Sequence, residues 1–272
     1  MNTRTIVLSL LAAAAVAAIP AAAMPPDAEH ATQALIDSPR HGEWATIPQA
    51  DGPAIKTWVA YPERADKAPV IIVIHEIFGM TDWVRSVADA FAAEGFIAVA
   101  PDLLSGMGPD GGGTESFEGD AVRGAIRNLS NEETAKRLDA VRAWALAQPA
   151  AADTVGCVGF CWGGSATFAY ATAQPELDAA VVYYGTAPTE EATLAKIACP
   201  VLGQYGGDDA RVTSTVNTTA ETMQQLDKPF TARVHTGAGH GFLRQQSGRD
   251  GANQTAAEKA WAETVAFFRK HL

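Results

Sequence analysis

The sequence predicts one α/β domain with a mainly parallel central sheet and helices on both faces. Three observations carry this. Runs of β-branched residues alternate with segments of helical periodicity. Those runs are apolar throughout, as in strands covered on both sides. The 272 residues, nearly half of them apolar, suffice for a single large core.

Each element follows in order. Residues 54–61 alternate weakly and read as an early strand. Pro69-Val-Ile-Ile-Val-Ile-His75 is a buried strand, and Phe96 to Ala100 is another, stopped by Pro101. Between them Thr81 caps a helix that runs to about Glu94. Residues 101–118 form a long Gly-rich loop, a type that is often functional in compact domains. Helices follow over about 117–128 and 131–147; in the second, Leu138, Val141 and Ala145 share one face. The remainder alternates: strand 154–160, helix 163–174, strand 179–184, helix 188–197, strand 201–205, helix 213–226, strand 231–235 and helix 252–270.

Three regions divide the chain: a signal peptide over 1–23, a polar lead-in over 24–50 and the α/β domain over 51–272. Arg4 gives the first region a positive start, residues 6–19 are apolar, and Ala21-Ala22-Ala23 offers a small-residue cleavage site before Met24. The apolar run is too short for a comfortable membrane span. The expectation is a periplasmic or secreted protein with no stable membrane association after cleavage.

The formal net charge is −11, with no run of Lys or Arg, which argues against nucleic-acid binding. No metal-ligand spacing and no nucleotide or cofactor motif is present, so no cofactor is expected. The three cysteines, Cys157, Cys161 and Cys199, leave at least one thiol unpaired. A free thiol in an oxidising compartment needs a reason, and catalysis is one.

In open α/β sheets the functional site lies beyond the carboxyl ends of the strands. Gly159-Phe-Cys161-Trp-Gly163-Gly164 stands there, between a strand and a helix. That is the context of a nucleophile elbow, with a cysteine at the reactive position. Ser165 lacks such flanks. His240, set between Gly239 and Gly241 after the last strand, is the candidate base; His235 is its competitor. Gly206-Gly207-Asp208-Asp209 offers the acid, with Asp209 preferred and Asp208 as a turn residue. The loop after the first buried strand, His75-Glu76-Ile77-Phe78-Gly79, should supply one oxyanion donor from Ile77, and Trp162 the other. Glu76 beside the thiol would raise the thiol's pKa or accept its proton; otherwise it is a surface ion-pairing residue.

With those residues in view, the chain resembles the dienelactone hydrolase family from about residue 50 onward. The likeness rests on HEIFG at 75–79, PDL at 101–103, GFCWGG at 159–164, YYG at 183–185, GGDD at 206–209 and GHGFLR at 239–244. The resemblance implies an α/β-hydrolase fold and a Cys161-His240-Asp209 triad. It further implies that Glu76 keeps the thiol latent, and that Arg244 and Tyr184 contact substrate. It departs from the family pattern at Pro101-Asp-Leu-Leu-Ser-Gly106, which lacks the arginine that dienelactone-specific members carry there.

The expected function is hydrolysis of a lactone or small carboxylic ester through a thioester intermediate, by a monomer whose only partner is its small-molecule substrate. Two alternatives stand: a thiol redox protein using Cys157 and Cys161, and a non-catalytic binding protein on the same fold.

Overall fold

The computed structural model describes residues 24–272. Its single sheet contains β1 (Gly42–Ile47), β2 (Ile55–Ala60), β3 (Ala68–Ile74), β4 (Ile97–Pro101), β5 (Ala151–Phe160), β6 (Ala179–Tyr183), β7 (Val201–Gly206) and β8 (Phe230–His235). Their order is β1-β2-β4-β3-β5-β6-β7-β8. β2 is antiparallel to both β1 and β4; all later pairings are parallel. This is the α/β-hydrolase fold. The signal-peptide reading of residues 1–23 lies outside the described residues.

The helices are α1 (Ala31–Asp37), α2 (Asp82–Ala93), α3 (Ala121–Arg127), α4 (Asn131–Leu146), α5 (Trp162–Ala173), α6 (Glu191–Leu194), α7 (Ala210–Thr213), α8 (Val216–Gln225) and α9 (Ala252–His271). Among the described residues, none is long and apolar enough to cross a membrane. Sequence-coded caps start two of them. The Val84 N–H donates to Thr81 Oγ1 at 3.4 Å, and the Glu133 N–H donates to Ser130 Oγ at 3.1 Å.

Side chains of β3 alternate between two cores, as a strand's period of two requires. Ile72 and Ile74 join Leu138 and Val141 of α4, Phe168 of α5 and Met223 of α8. Ile71 and Val73 join Trp83 and Phe91 of α2 and Trp261 and Phe268 of α9. The unbroken apolar runs in the sequence thus reflect helices packed on both faces.

Residues 24–50, expected to be a lead-in, are instead part of the domain. They form α1 and the edge strand β1. Ser38 Oγ donates to Asp89 at 2.6 Å, Arg40 Nε donates to the same carboxylate at 3.0 Å, and Gln246 Nε2 donates to Pro25 O at 2.9 Å. The expected helix 188–197 shrinks to α6, which starts only after an extended Glu190. The expected helix 213–226 starts later, at Val216, as α8, and α7 is a separate single turn just before it. Thr215 Oγ1 donates back to Val212 O at 2.8 Å and closes the turn between them.

The Gly-rich loop is folded, and Asp102 organises it. This buried carboxylate accepts the Thr114 N–H at 2.7 Å, the Thr114 hydroxyl at 2.7 Å and the Leu104 N–H at 3.0 Å. Thr114 Oγ1 in turn accepts the Met80 N–H at 3.0 Å, which ties the loop to the turn after β3. Buried Arg137 donates to Ser105 O at 2.8 Å from below. Replacing Asp102 by Ala leaves buried donors without an acceptor and should cost about 3 kcal/mol in urea unfolding. Asp102→Asn, which keeps a carbonyl acceptor, should cost less.

Candidate active site

β5 ends at Phe160 and α5 begins at Trp162, so Cys161 alone makes the turn. Its backbone adopts φ 56° and ψ −115°, a region that non-glycine residues seldom occupy. The Cys161 N–H donates to Tyr183 O at 3.0 Å, while its own carbonyl accepts the Ser165 N–H at 3.2 Å. Neighbouring backbone leaves no room for side chains beside it. A Cβ on Gly159 would lie 2.0 Å from Gly163 O, and one on Gly163 would lie 2.3 Å from His75 O. Glycine is required at both positions because backbone packs directly on backbone.

The Cys161 sulfur is half-buried, and the backbone N–H groups of Trp162 and Ile77 act to lower its pKa. Its pKa is nevertheless raised. Burial is the largest cause and the nearby Glu76 carboxylate the second; Trp162, Arg211 and Ile77 oppose them. Cys161 therefore rests as a neutral thiol.

Glu76 is buried at 3% exposure, and burial pushes its pKa up to about 7. Arg244 resists that rise: its Nε lies 2.5 Å from Glu76 Oε2. The two atoms are close but not aligned as a hydrogen bond, and the buried Tyr184 hydroxyl beside them also lacks a well-formed one. Charge, rather than directed hydrogen bonding, holds this group together. Arg244, expected to contact substrate, pairs with Glu76, and its guanidinium lies over the Phe78 ring at 4.8 Å.

On the next loops, His240 Nδ1 lies 2.5 Å from Asp209 Oδ2, with Asp209 buried and His240 one-third exposed. Asp208 turns away to Arg249 at 3.2 Å. His235 pairs with Gln204 Oε1 at 2.7 Å. No hydrogen bond joins the Cys161 sulfur to His240 among the described residues. The Tyr184 ring connects the two regions: it meets the His240 ring edge-on at 5.1 Å and also lines the cavity over Cys161. That cavity, of about 420 Å³, is bordered by Ile77, Trp162, Ser165 and Thr186 as well, and by Arg127 and Arg211.

Three residues of this neighbourhood were given no role of their own by the sequence. His75 is buried and neutral: its Nδ1–H donates to Glu76 O at 2.8 Å, and its Nε2 accepts the Leu103 N–H at 3.3 Å. It also stacks on Trp162 with centroids 5.6 Å apart, so it steadies both loops that flank the thiol. Arg127 and Arg211 come from α3 and α7, far apart in the chain, and only the fold brings them together.

Cys157 and Cys161 face different cores, Cys157 among the side chains under α4 and α5 and Cys161 with those under α2 and α9. Burial pushes the Cys157 thiol up to about 12, and all three cysteines are free. This arrangement disfavours a redox pair. Among the described residues, no three His, Cys, Asp or Glu side chains are grouped to hold a metal ion.

A parallel sheet with a cysteine elbow and an adjacent His–Asp pair defines the chain as a hydrolase of the α/β-hydrolase class. Comparison then gives the family. The model of the dienelactone hydrolase family matches residues 55–272, and the chain belongs to that family. A Salmonella typhimurium protein named "putative carboxymethylenebutenolidase" is 30% identical over 236 residues, covering 82% of this chain and 85% of its own. A Bradyrhizobium protein named "probable 2-oxo-3-(5-oxofuran-2-ylidene)propanoate lactonase" is 29% identical, covering 85% and 94%. A solved Klebsiella pneumoniae structure, titled a "putative dienelactone hydrolase", superposes with a TM-score of 0.74 at 27% identity, covering 85% and 98%.

The crowding at the elbow makes Gly159→Ala a direct probe. It should lower stability by about 1–3 kcal/mol in thermal unfolding. It should also slow iodoacetamide labelling at Cys161, because the sulfur is displaced from its opening.

Proposed function

We propose that the chain hydrolyses a lactone or small carboxylic ester through Cys161 and a thioester intermediate. The observation that carries this reading is the cysteine on a strained elbow between β5 and α5, whose thiol pKa the backbone N–H groups of Ile77 and Trp162 act to lower. The same donors can hold the oxyanion of a carbonyl attacked there. Relatives named for lactone cleavage support the substrate class.

The proton path follows from the charges. In the resting site the thiol keeps its proton beside Glu76. When a carbonyl enters, ionised Glu76 takes the proton from sulfur and the S–C bond forms. The carbonyl electron pair moves to oxygen, held by Ile77 and Trp162 N–H. Collapse expels the alkoxide, which takes a proton from Glu76. His240, oriented by Asp209, then removes a proton from water, and the resulting hydroxide attacks the thioester. The acid product leaves, and His240 returns its proton to the thiolate. Tyr184 forms the wall between the two halves of this cycle.

The partner proposed for this site is a small-molecule substrate. The segment 1–23 supports export; a periplasmic or secreted product beginning at Met24, identified by N-terminal sequencing, is the expected result.

Cys161→Ala should abolish hydrolysis of p-nitrophenyl acetate, and mass spectrometry of the wild type should trap an acyl group on Cys161; full activity in the variant would exclude this mechanism. Arg244→Met tests the proton path. The Arg244 charge favours ionised Glu76, so without it the carboxyl retains its proton to higher pH. Glu76 accepts a proton only when ionised, so the rising limb of kcat/KM should move upward from about 7 by about one pH unit or more.

A further inference from the structure

Arg244 lies between β8 and α9, on a turn rather than on a strand or helix. Its own N–H and that of Gln245 both donate to Gly241 O at 3.0 Å. Its guanidinium meets Glu76 without an aligned hydrogen bond, so the ion pair gives little directional restraint. Phe78 covers one face of the guanidinium. The placing of the Arg244 main chain therefore decides how near its charge stays to the carboxylate.

That main chain is held from outside the turn, by the segment that precedes α1. The Ala28 N–H donates to Arg244 O at 3.0 Å. Buried Gln246 donates through Nε2 to Pro25 O at 2.9 Å and to Leu243 O at 3.0 Å, so one side chain joins both flanks of Arg244 to the same segment. Trp83 Nε1, on α2, donates to Pro26 O at 3.1 Å. The Trp83 ring also meets Phe160, the residue before Cys161, edge-on at 5.0 Å. Pro25 is buried, and Met24 and Ala28 pack on the core that contains Tyr184, Phe242 and Leu243. Residues 25–28 are thus bonded both to α2 and to the Arg244 turn. The family match begins at residue 55, so this segment lies outside it.

We propose that residues 25–28 brace the Arg244 turn and so hold its guanidinium on Glu76, which makes Ala28, Gln246 and Trp83 positioning residues. None of the three borders the cavity over Cys161. Their consequence for catalysis rests on the proton path proposed above; the contacts themselves do not. The titratable groups that face Glu76 are Arg244 from this turn, Tyr184 after β6 and Cys161 after β5. Arg244 brings the positive charge. A loosened turn lets that charge move away, and the carboxyl then keeps its proton to higher pH.

The test reads Glu76 directly, so it needs no turnover. Trp83→Phe with Gln246→Met removes both side-chain bonds to the segment and keeps apolar groups in their place. Infrared difference spectra of the full-length chain across pH follow the protonated-carboxyl stretch, and Glu76→Gln identifies the Glu76 band. The wild-type midpoint should lie at about 7. The double variant should raise it by about half a pH unit or more. Gln246→Met alone, which leaves Trp83 in the core, should raise it less. In the double variant kcat/KM should fall about twofold at pH 7 and recover at higher pH, whereas a damaged fold lowers it throughout. In an Arg244→Met background the two substitutions should not move the midpoint, because the charge they position is gone. Arg40→Met cuts the same N-terminal region from Asp89, away from Arg244, and should lower thermal stability with the midpoint unmoved. An unmoved midpoint in both Gln246→Met and the double variant would overturn the proposal. So would an equal shift in Arg40→Met, or a further shift on top of Arg244→Met, since either would reflect general loosening. An inert wild type would refute the hydrolytic mechanism, while the midpoints still decide the positioning.

Discussion

One backbone conformation governs this molecule: the turn at Cys161, with φ 56°, between the central strand β5 and helix α5. It can exist only because Gly159 and Gly163 let backbone meet backbone, and because the Cys161 N–H is tied to Tyr183 O in the neighbouring strand. The turn puts the sulfur at the carboxyl end of β5, where the N–H groups of Ile77 and Trp162 act to lower its pKa. The parallel order of β3, β5, β6 and β7 then sets the remaining loops around that point. Glu76 follows β3, Tyr184 follows β6 and Asp209 follows β7, so adjacency in the sheet becomes adjacency of chemistry.

The electrostatics around the sulfur oppose one another in a useful way. A buried carboxylate near a thiol disfavours the thiolate, and burial disfavours both charges. Arg244 keeps Glu76 partly ionisable in spite of its burial. The outcome is a neutral thiol beside a carboxyl whose pKa lies near neutrality, a pair between which a proton can move at little cost. His240 is not hydrogen-bonded to the sulfur in this state, although it is firmly bonded to Asp209. The resting arrangement therefore sets the Glu76 carboxyl, near the thiol, apart from the His240–Asp209 pair. It also limits chance oxidation of an otherwise reactive thiol, since oxidation follows thiolate character.

Much of this was legible in the sequence, and the reasons differ by residue. The runs at 69–75, 96–100, 154–160 and 201–205 announced buried strands because helices cover both faces. The elbow was legible because its glycines are obligatory. The order of Cys161, Asp209 and His240 along the chain let those positions be picked out before any coordinates. Strand β1 and helix α1 were not legible: β1 is an edge strand with mostly exposed residues, and α1 has seven residues and a single fully buried one. The split of α7 from α8 depends on a local Thr215 hydroxyl bond that helical periodicity does not report. Arg127 and Arg211 were invisible for a deeper reason. They stand on separate helices, and their meeting at one cavity is a property of the fold.

Chemistry and recognition are thus built from different material. The sulfur, its N–H donors and the buried Glu76 are fixed by close-packed backbone, where a single methyl group would collide. The cavity rim is instead furnished by exposed side chains on short helices and by a loop that Asp102 pins at its base. A side chain at Gly159 or Gly163 would collide with backbone, whereas the exposed side chains of the rim meet no such packing. A family with one reactive centre can therefore change what it accepts by moving charges around the rim. On that view, an arginine missing after Pro101-Asp102-Leu103 does not imply indifference to charge. Arg127 and Arg211 border the cavity over Cys161 from separate helices, so its rim carries positive charge without that arginine.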